Sequence, residues 1–278
     1  MIIFKTIQHL HQHLDSLTTT SIGFVPTMGA LHNGHISLIN QAKQNNACVI
    51  CSIFVNPTQF NNPTDFIKYP IAIEQDIYAL EKAGCTILFL PTVQEMYPEG
   101  LENGEVYTLG FIETILEGAY RPGHFNGVCR IVNKLLQAVQ PTDLFLGQKD
   151  YQQCMVINKL LQLKNYAITL HVCATQREIG GLAMSSRNSR LTAEEKIKAQ
   201  FIFKTLTYIQ QHIQAGNIEP LLTTATQNLL NAGFTVDYIA VADANTLQLI
   251  TVWNGTQKLV ALAAVFVGEV RLIDNLIL

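Results

Sequence analysis

The chain has 278 residues, 48% of them apolar and only 14% charged, with net charge −3 and mean hydropathy +0.19. That is enough apolar material for one large core or two ordinary ones without metal or disulfide staples. The low charge excludes the basic stripe of a nucleic-acid surface, and no run approaches the roughly twenty apolar residues of a membrane span. The opening residues, Met1-Ile2-Ile3-Phe4-Lys5, lack signal-peptide anatomy, so a cytoplasmic location is expected. Cysteines stand at Cys48, Cys51, Cys85, Cys129, Cys154 and Cys173, four of them inside apolar runs, as suits reduced, buried thiols. Cys48 and Cys51 form C-x-x-C but within a predicted strand, where residues three apart face opposite sides and cannot share a metal.

In chain order, residues 7–17 predict an amphipathic helix carrying His9, His11 and His13, read as solvated. Residues 22–25 predict a short buried strand that ends at Pro26, which has no N–H to give a ladder. Gly29 and Gly34 follow, and from His35 the apolar residues Ile36, Leu38, Ile39 and Ala42 fall at helical spacing. A second strand, 49–55, leads into the polar loop Asn56-Pro57-Thr58-Gln59-Phe60-Asn61-Asn62-Pro63. A helix over 73–83 is closed by Gly84, and a strand over 86–90 by Pro91. Residues 92–123 are irregular. A helix after His124 buries Val128, Ile131, Val132, Leu135 and Leu136, and a strand over 144–146 opens into Gly147-Gln148-Lys149-Asp150. Another helix and a strand over 167–173 complete this half. Alternating strands and helices predict a right-handed, mainly parallel Rossmann-like sheet.

The rest of the chain differs. Gly180-Gly181-Leu182-Ala183-Met184-Ser185-Ser186-Arg187-Asn188 reads as a polar linker. Helices over 193–214 and 220–231 and strands over 236–241, 259–267 and 270–273 follow, a smaller α+β unit. The expected domains are 1–176 and 177–278, the second acting as a lid.

The first loop unites a strand end, glycines and a helix start, which is an anion site because free N–H groups and the positive helix end converge there. His32 and His35 are three apart, so both rings can point the same way and donate to phosphate oxygens during nucleotidyl transfer. They lack the i, i+4 spacing and the glutamate of a zinc-protease helix, so no metal is assigned to them. Gly147-Gln148-Lys149-Asp150 repeats the design. A lysine there can hold phosphate as a point charge, although the loop alone reads better as a capped helix with a solvated lysine. Met184-Ser185-Ser186-Arg187 offers hydroxyls, N–H groups and a guanidinium suited to polyphosphate, or an ordinary serine-rich linker. Asn56, Gln59, Gln152 and Gln153 are uncharged amides suited to hydroxyls and carboxylates of a small substrate.

The set carries a resemblance that no single loop does. Pro26-Thr27-Met28-Gly29-Ala30-Leu31-His32-Asn33-Gly34-His35, with its H-x-G-H, is very similar to the signature of the pantothenate synthetases, or pantoate–β-alanine ligases. So are Ser52-Ile53-Phe54-Val55-Asn56-Pro57-Thr58-Gln59-Phe60, Tyr69-Pro70, Met96-Tyr97-Pro98, Arg121-Pro122-Gly123-His124-Phe125 and Lys149-Asp150-Tyr151-Gln152-Gln153. Gly181-Leu182-Ala183-Met184-Ser185-Ser186-Arg187-Asn188 and Arg271-Leu272-Ile273-Asp274-Asn275 complete the series across nearly the whole chain.

The resemblance implies an H-x-G-H nucleotidyltransferase-type Rossmann fold, a smaller C-terminal domain and a homodimer. It implies an ATP-dependent ligase: pantoate carboxylate attacks the α-phosphorus of ATP, and β-alanine then attacks the pantoyl adenylate, giving pantothenate and AMP. ATP contacts carry over to Met28, Gly29, Ala30, Leu31, His32, Asn33, Gly34 and His35, to Gly147, Gln148, Lys149 and Asp150, to Gln176 through backbone, and to Met184, Ser185, Ser186 and Arg187. Pantoate and β-alanine contacts carry over to Gln59 and Gln153, with Asn56 beside them. His35 takes the proton-donor position, with His32, Lys149 and Arg187 as further catalytic groups. Mg²⁺ is implied as the counterion of ATP rather than as a metal held by side chains alone.

The chain departs from the family pattern at Ile71, Gln148, Gln176, Ile179 and Gly180. Two rival readings are an adenylyltransferase acting on a phosphorylated substrate and a nucleotide-sensing protein without turnover. The neutral amides Gln59 and Gln153 favour a carboxylate or hydroxyl substrate over a second phosphate.

Overall fold

The computed structural model describes residues 1–18, 21–60, 66–67, 69–102 and 104–278; Asn61, Asn62 and Pro63 of the proline-bounded loop lie outside them. Contacts divide the chain into two compact units, Met1–Gly147 with Gln152–Ala174, and Gln148–Tyr151 with Thr175–Leu278.

The first unit is built on β1 (Ile2–Phe4), β2 (Ile22–Thr27), β3 (Cys48–Ile53), β4 (Ile87–Phe89), β5 (Asp143–Gly147) and β6 (Thr169–Cys173). They form one sheet in the order β1-β4-β3-β2-β5-β6, and every pairing is parallel. The helices are α1 (Ile7–Asp15), α2 (Asn33–Asn45), α3 (Ile73–Ala83), the short α4 (Val93–Met96) and α5 (Glu117–Tyr120), then α6 (His124–Val139) and α7 (Tyr151–Leu163). Successive strand residues enter opposite cores: Phe24, Ile50, Phe89 and Leu144 one, Val25, Cys51, Leu88 and Phe145 the other. A sheet buried on both faces needs continuous apolar strands, which is how β3 and β4 read.

Several local expectations shift. Residues 2–4 form an edge strand that sequence reading passed over, since three residues are too few to show alternation. Strand β2 runs through Pro26 to Thr27. Thr27 O accepts from Phe54 N on the β3 side, so the alternating backbone turns the Pro26 nitrogen toward β5, whose pairing with β2 stops at Phe24. Helix α2 starts at Asn33, two residues early, because His32 caps it. His11 is not solvated: it is half-buried, and its Nε2 lies 2.9 Å from Ala138 O.

All six cysteines are buried, and no disulfide links them. Cys48 and Cys51 fall in different cores. Burial pushes the thiols of Cys85 and Cys173 up to about 11 and that of Cys129 to about 12, which keeps them protonated and inert.

In the second unit, α8 (Ala193–His212) and α9 (Glu219–Asn231) pack on an antiparallel sheet of β8 (Thr235–Asp243), β10 (Leu259–Val267) and β11 (Val270–Ile277), and the small β7 (Gly216–Asn217) pairs with β9 (Val252–Trp253). Helix α8 opens with a capping box of Thr192 and Glu195. Leu259, Ala261, Ala263, Val265 and Val267 present one face of β10 to Ile202, Leu206, Ile209 and Leu229. Strand β11 continues four residues beyond the expected end, because its pairing with β10 runs on to Ile277 opposite Val260. It thereby takes Asp274 and Asn275, 4% and 2% exposed, into the sheet.

Candidate active site

In the first unit the loop after β2 is built by bonds both within the loop and to neighbouring elements. Thr27 Oγ1 donates to Ser52 O at 2.7 Å and accepts from Gly29 N at 3.3 Å. The chain then turns with φ of +81° at Gly29 and +49° at Ala30, a left-handed turn that Gly29 takes without a Cβ penalty. His32 Nδ1 accepts from Gly34 N at 3.1 Å, and His35 Nδ1 accepts from His32 N at 3.3 Å. The two ring centres lie 4.1 Å apart, with the ring planes tilted by 37°. With Nδ1 accepting in each, the proton of the neutral ring sits on Nε2, so both histidines carry a donor at the helix N-terminus.

One residue of this loop's support went unseen in the sequence. Asp76, on the first turn of α3 and 2% exposed, accepts from Ala30 N at 2.8 Å and from Leu31 N at 2.7 Å, one carboxylate oxygen each. A carboxylate in a helix's first turn reads as a dipole partner, and nothing local reveals a bond across 45 residues.

The four amides divide. Gln59 Oε1 accepts from Asn56 Nδ2 at 3.2 Å, while its Nε2 faces the Met28 sulfur at 2.8 Å. A thioether is a weak acceptor, so a substrate oxygen is a better partner for that N–H group. Asn56 is 1% exposed and fully engaged with protein: Nδ2 also donates to Gly127 O, and Oδ1 accepts from Tyr97 Oη at 2.8 Å. The Gln59 carbonyl is gripped in turn by His124 Nδ1 at 2.8 Å and Arg121 Nη2 at 3.4 Å. His124 and Arg121 are anchors that the motif Arg121-Pro122-Gly123-His124-Phe125 contained and residue chemistry alone did not single out. Gln152, grouped above with the substrate amides, is a structural residue. Its side chain closes residues 112–117, accepting from Glu117 N at 2.9 Å and donating to Ile112 O at 2.7 Å and Ile115 O at 2.9 Å. Gln153 is half-buried, and among the described residues nothing hydrogen-bonds its amide.

The second unit holds the other candidate loops. Gln148–Asp150 form a 3₁₀ turn immediately after Gly147, the last residue of β5. Lys149 Nζ lies 3.5 Å from Asp150 Oδ1. Asn275 binds this turn three times, through Nδ2 to Gln148 O and Lys149 O, both at 2.9 Å, and through Oδ1 from Gln148 Nε2 at 3.1 Å. Gln176 is exposed, and its carbonyl accepts from Met184 N at 2.9 Å, closing a hairpin. The Ile179 and Gly180 departures fall at the hairpin's tip. Ile179 is 98% exposed, and Gly180 has φ +94°, a conformation that glycine suits. Ser185 Oγ accepts from Arg187 N at 3.2 Å and caps the 3₁₀ segment Ser186–Arg190.

Beneath the hairpin, Arg177 makes a two-toothed pair with Asp274, 2.6 and 3.0 Å, donates to Gly181 O at 2.9 Å, and lies 3.9 Å from the Phe203 ring centre. Burial pushes the Asp274 carboxyl up, against the pull of Arg177. Among the described residues no group of three or more His, Cys, Asp or Glu is placed to hold a metal ion, and no helix is long and apolar enough to cross a membrane.

Comparison with known proteins places the chain in one family. Residues 2–277 match the family model described as pantoate-beta-alanine ligase. The pantothenate synthetase of Cytophaga hutchinsonii is 46% identical, with 100% of this chain and 99% of that protein aligned. The crystal structure of pantothenate synthetase from Thermus thermophilus superposes with a TM-score of 0.91 at 37% identity, covering 99% of each chain. The pantoate-beta-alanine ligase of Francisella tularensis, solved with beta-gamma ATP and beta-alanine, gives 0.83 at 41% identity, covering 100% of this chain and 97% of that one.

Proposed function

Because the chain belongs to the pantoate–β-alanine ligase family, which condenses pantoate with β-alanine using ATP, we propose how its residues share that reaction. In the first step the pantoate carboxylate attacks the α-phosphorus and pyrophosphate leaves; in the second the β-alanine amine displaces AMP from the acyl carbon. A carboxylate is a poor electrophile until its oxygen becomes part of a good leaving group, which adenylation achieves.

The observation that carries the assignment is the pair of adjacent histidines at the N-terminus of α2, their rings tilted against each other and each with Nδ1 accepting and therefore Nε2 donating. Donors aimed where charge develops at phosphorus stabilise the transition state without a covalent nucleophile. His35 and His32 take this role, and the backbone from Met28 through Leu31, Asn33 and Gly34 lines the nucleotide. Lys149 and Arg187 neutralise the departing pyrophosphate, with Gly147, Gln148, Asp150, Gln176, Met184, Ser185 and Ser186 contributing further ATP contacts. Gln59 and Gln153 hold pantoate, and Gln59 also meets β-alanine. Asn56 acts through Gln59, whose amide it orients. Mg²⁺ rides on the triphosphate, which needs few protein ligands for it. A homodimer in the cytoplasm completes the proposal, with sedimentation as the check on the dimer.

Isotope exchange tests the scheme. With pantoate, Mg²⁺ and no β-alanine, the enzyme is expected to exchange labelled pyrophosphate into ATP. Lys149→Ala and Arg187→Ala are each expected to suppress that exchange strongly. Pantothenate formation without any exchange counts against a reversible adenylate, and normal exchange in both variants removes the two cations from the pyrophosphate.

A further inference from the structure

We propose that Asn275 is a positioning residue for adenylation: its buried amide fixes the backbone of Gln148 and Lys149 and so aims the lysine ammonium. The proposal rests on the reading above that Lys149 acts on the phosphates.

Asn275 lies on β11, 2% exposed, and is 126 residues from Lys149 in sequence. Both hydrogens of its Nδ2 are used, one on each of two successive carbonyls at 2.9 Å, and its Oδ1 takes the Gln148 side chain at 3.1 Å. Holding two successive carbonyls sets the peptide planes on both sides of the Lys149 Cα, and with them the direction in which its side chain leaves the backbone. The clamp is itself held. Asn275 N donates to Asp274 Oδ1 at 2.8 Å, Asn275 O accepts from Arg177 at 3.2 Å, and Arg177 is paired with Asp274. Asparagine is a poor strand former, yet it sits paired within β11 opposite Leu262. A residue chosen against local preference points to a duty elsewhere.

The chemistry singles out an amide. Aspartate would set anionic oxygen against two carbonyls, and an apolar isostere would leave both carbonyls and the Gln148 amide without their partner. The neighbouring Asp274–Arg177 pair holds the hairpin at Gly181 and braces the Asn275 backbone, whereas the Asn275 side chain itself bonds the lysine turn.

The experiment uses the full-length enzyme and the variants Asn275→Ala, Asn275→Ser, Lys149→Ala and Asn275→Ala with Lys149→Ala. Steady-state constants, pyrophosphate exchange and thermal midpoints are read for each. Asn275→Ala is expected to lower exchange or raise the KM for ATP by about tenfold, with the KM for pantoate changed by less than about twofold. Asn275→Ser, which keeps one donor, is expected to fall between it and wild type. In the Lys149→Ala background, removal of Asn275 is expected to change exchange by less than about twofold, since residues acting through one another do not add. Full additivity, or equal loss of affinity for ATP and pantoate, overturns the proposal. Should Asn275→Ala fail to fold, the same two criteria apply to Asn275→Ser. Normal exchange in Lys149→Ala overturns the underlying reading, whereas impaired Lys149→Ala beside unimpaired Asn275→Ala overturns only the positioning role.

Discussion

The histidine loop of the first unit and the lysine turn of the second present similar chemistry on different supports. His32 and His35 are fixed by bonds to residues two and three positions away, and each ring caps the helix that carries it. Lys149 is fixed by an amide 126 residues later in the chain. A local support is cheap in entropy, because the residues it ties are already neighbours, whereas a remote one forms only once the β-sheet beneath it has formed. The histidine loop also has remote ties, Asp76 among them, which holds the two N–H groups just ahead of the capped helix. The difference therefore lies in what each tie holds: in the first unit local bonds cap the helix through the two rings, and Asp76 holds the backbone ahead of them.

Five substitutions sharpen or break this comparison. The largest effect is expected from His35→Ala, which removes the donor proposed to act at phosphorus and the cap on His32 N together. Pyrophosphate release in a single turnover should slow by about two orders of magnitude or more, while ATP affinity falls less. A rate within about twofold of wild type would take His35 out of the reaction.

Asp76→Asn comes next. The substitution keeps the shape but turns one of two acceptors into a donor facing an N–H, which costs about 1–3 kcal/mol. Thermal unfolding should move down by roughly 3–10 °C, and turnover should fall about tenfold as the loop ahead of His32 loses its register. If the thermal midpoint falls while the rate stands, the histidines are set by their caps alone.

Gly127→Ala probes how the first unit places Gln59. A Cβ there would lie 2.3 Å from Thr58 O, so α6 or the turn at Pro57–Gln59 must shift. We expect a loss of about 1–3 kcal/mol in stability and a KM for pantoate raised several-fold. An unchanged pantoate KM would show that Gln59 is held by Asn56 and His124 without this close approach.

The smallest effects separate two adjacent amides. Gln152→Ala should lower the thermal midpoint by a few degrees, through loss of the bonds to Ile112, Ile115 and Glu117, with the pantoate KM unchanged. Gln153→Ala should do the reverse, raising the pantoate KM about threefold at constant stability. The reverse pattern, or the same pattern in both, would mean that engagement with protein is a poor guide to which amide meets substrate.

Much of the architecture was legible residue by residue. Both faces of the parallel sheet are buried, so β3 reads as an unbroken apolar run, and Gly84 and Pro91 mark the ends of their elements. The glycine-histidine loop showed itself because anion sites at helix starts are assembled from residues adjacent in sequence. Where partners are far apart, pattern had nothing to report. Asp76 looks like an ordinary first-turn acid, Pro26 looks like a strand end, and Asn275 looks like a break in β11, although its pairing continues to Ile277. Gln152 and Gln153 are the same letter, and Asn56 and Gln59 carry the same amide chemistry. Which amide meets backbone and which stays available is decided by whether a carbonyl such as Gly127 O or Ile112 O arrives within hydrogen-bond range. Residue identity determines which donors and acceptors exist; only the folded chain decides which of them are already satisfied, because that depends on distances between segments that sequence separation does not encode.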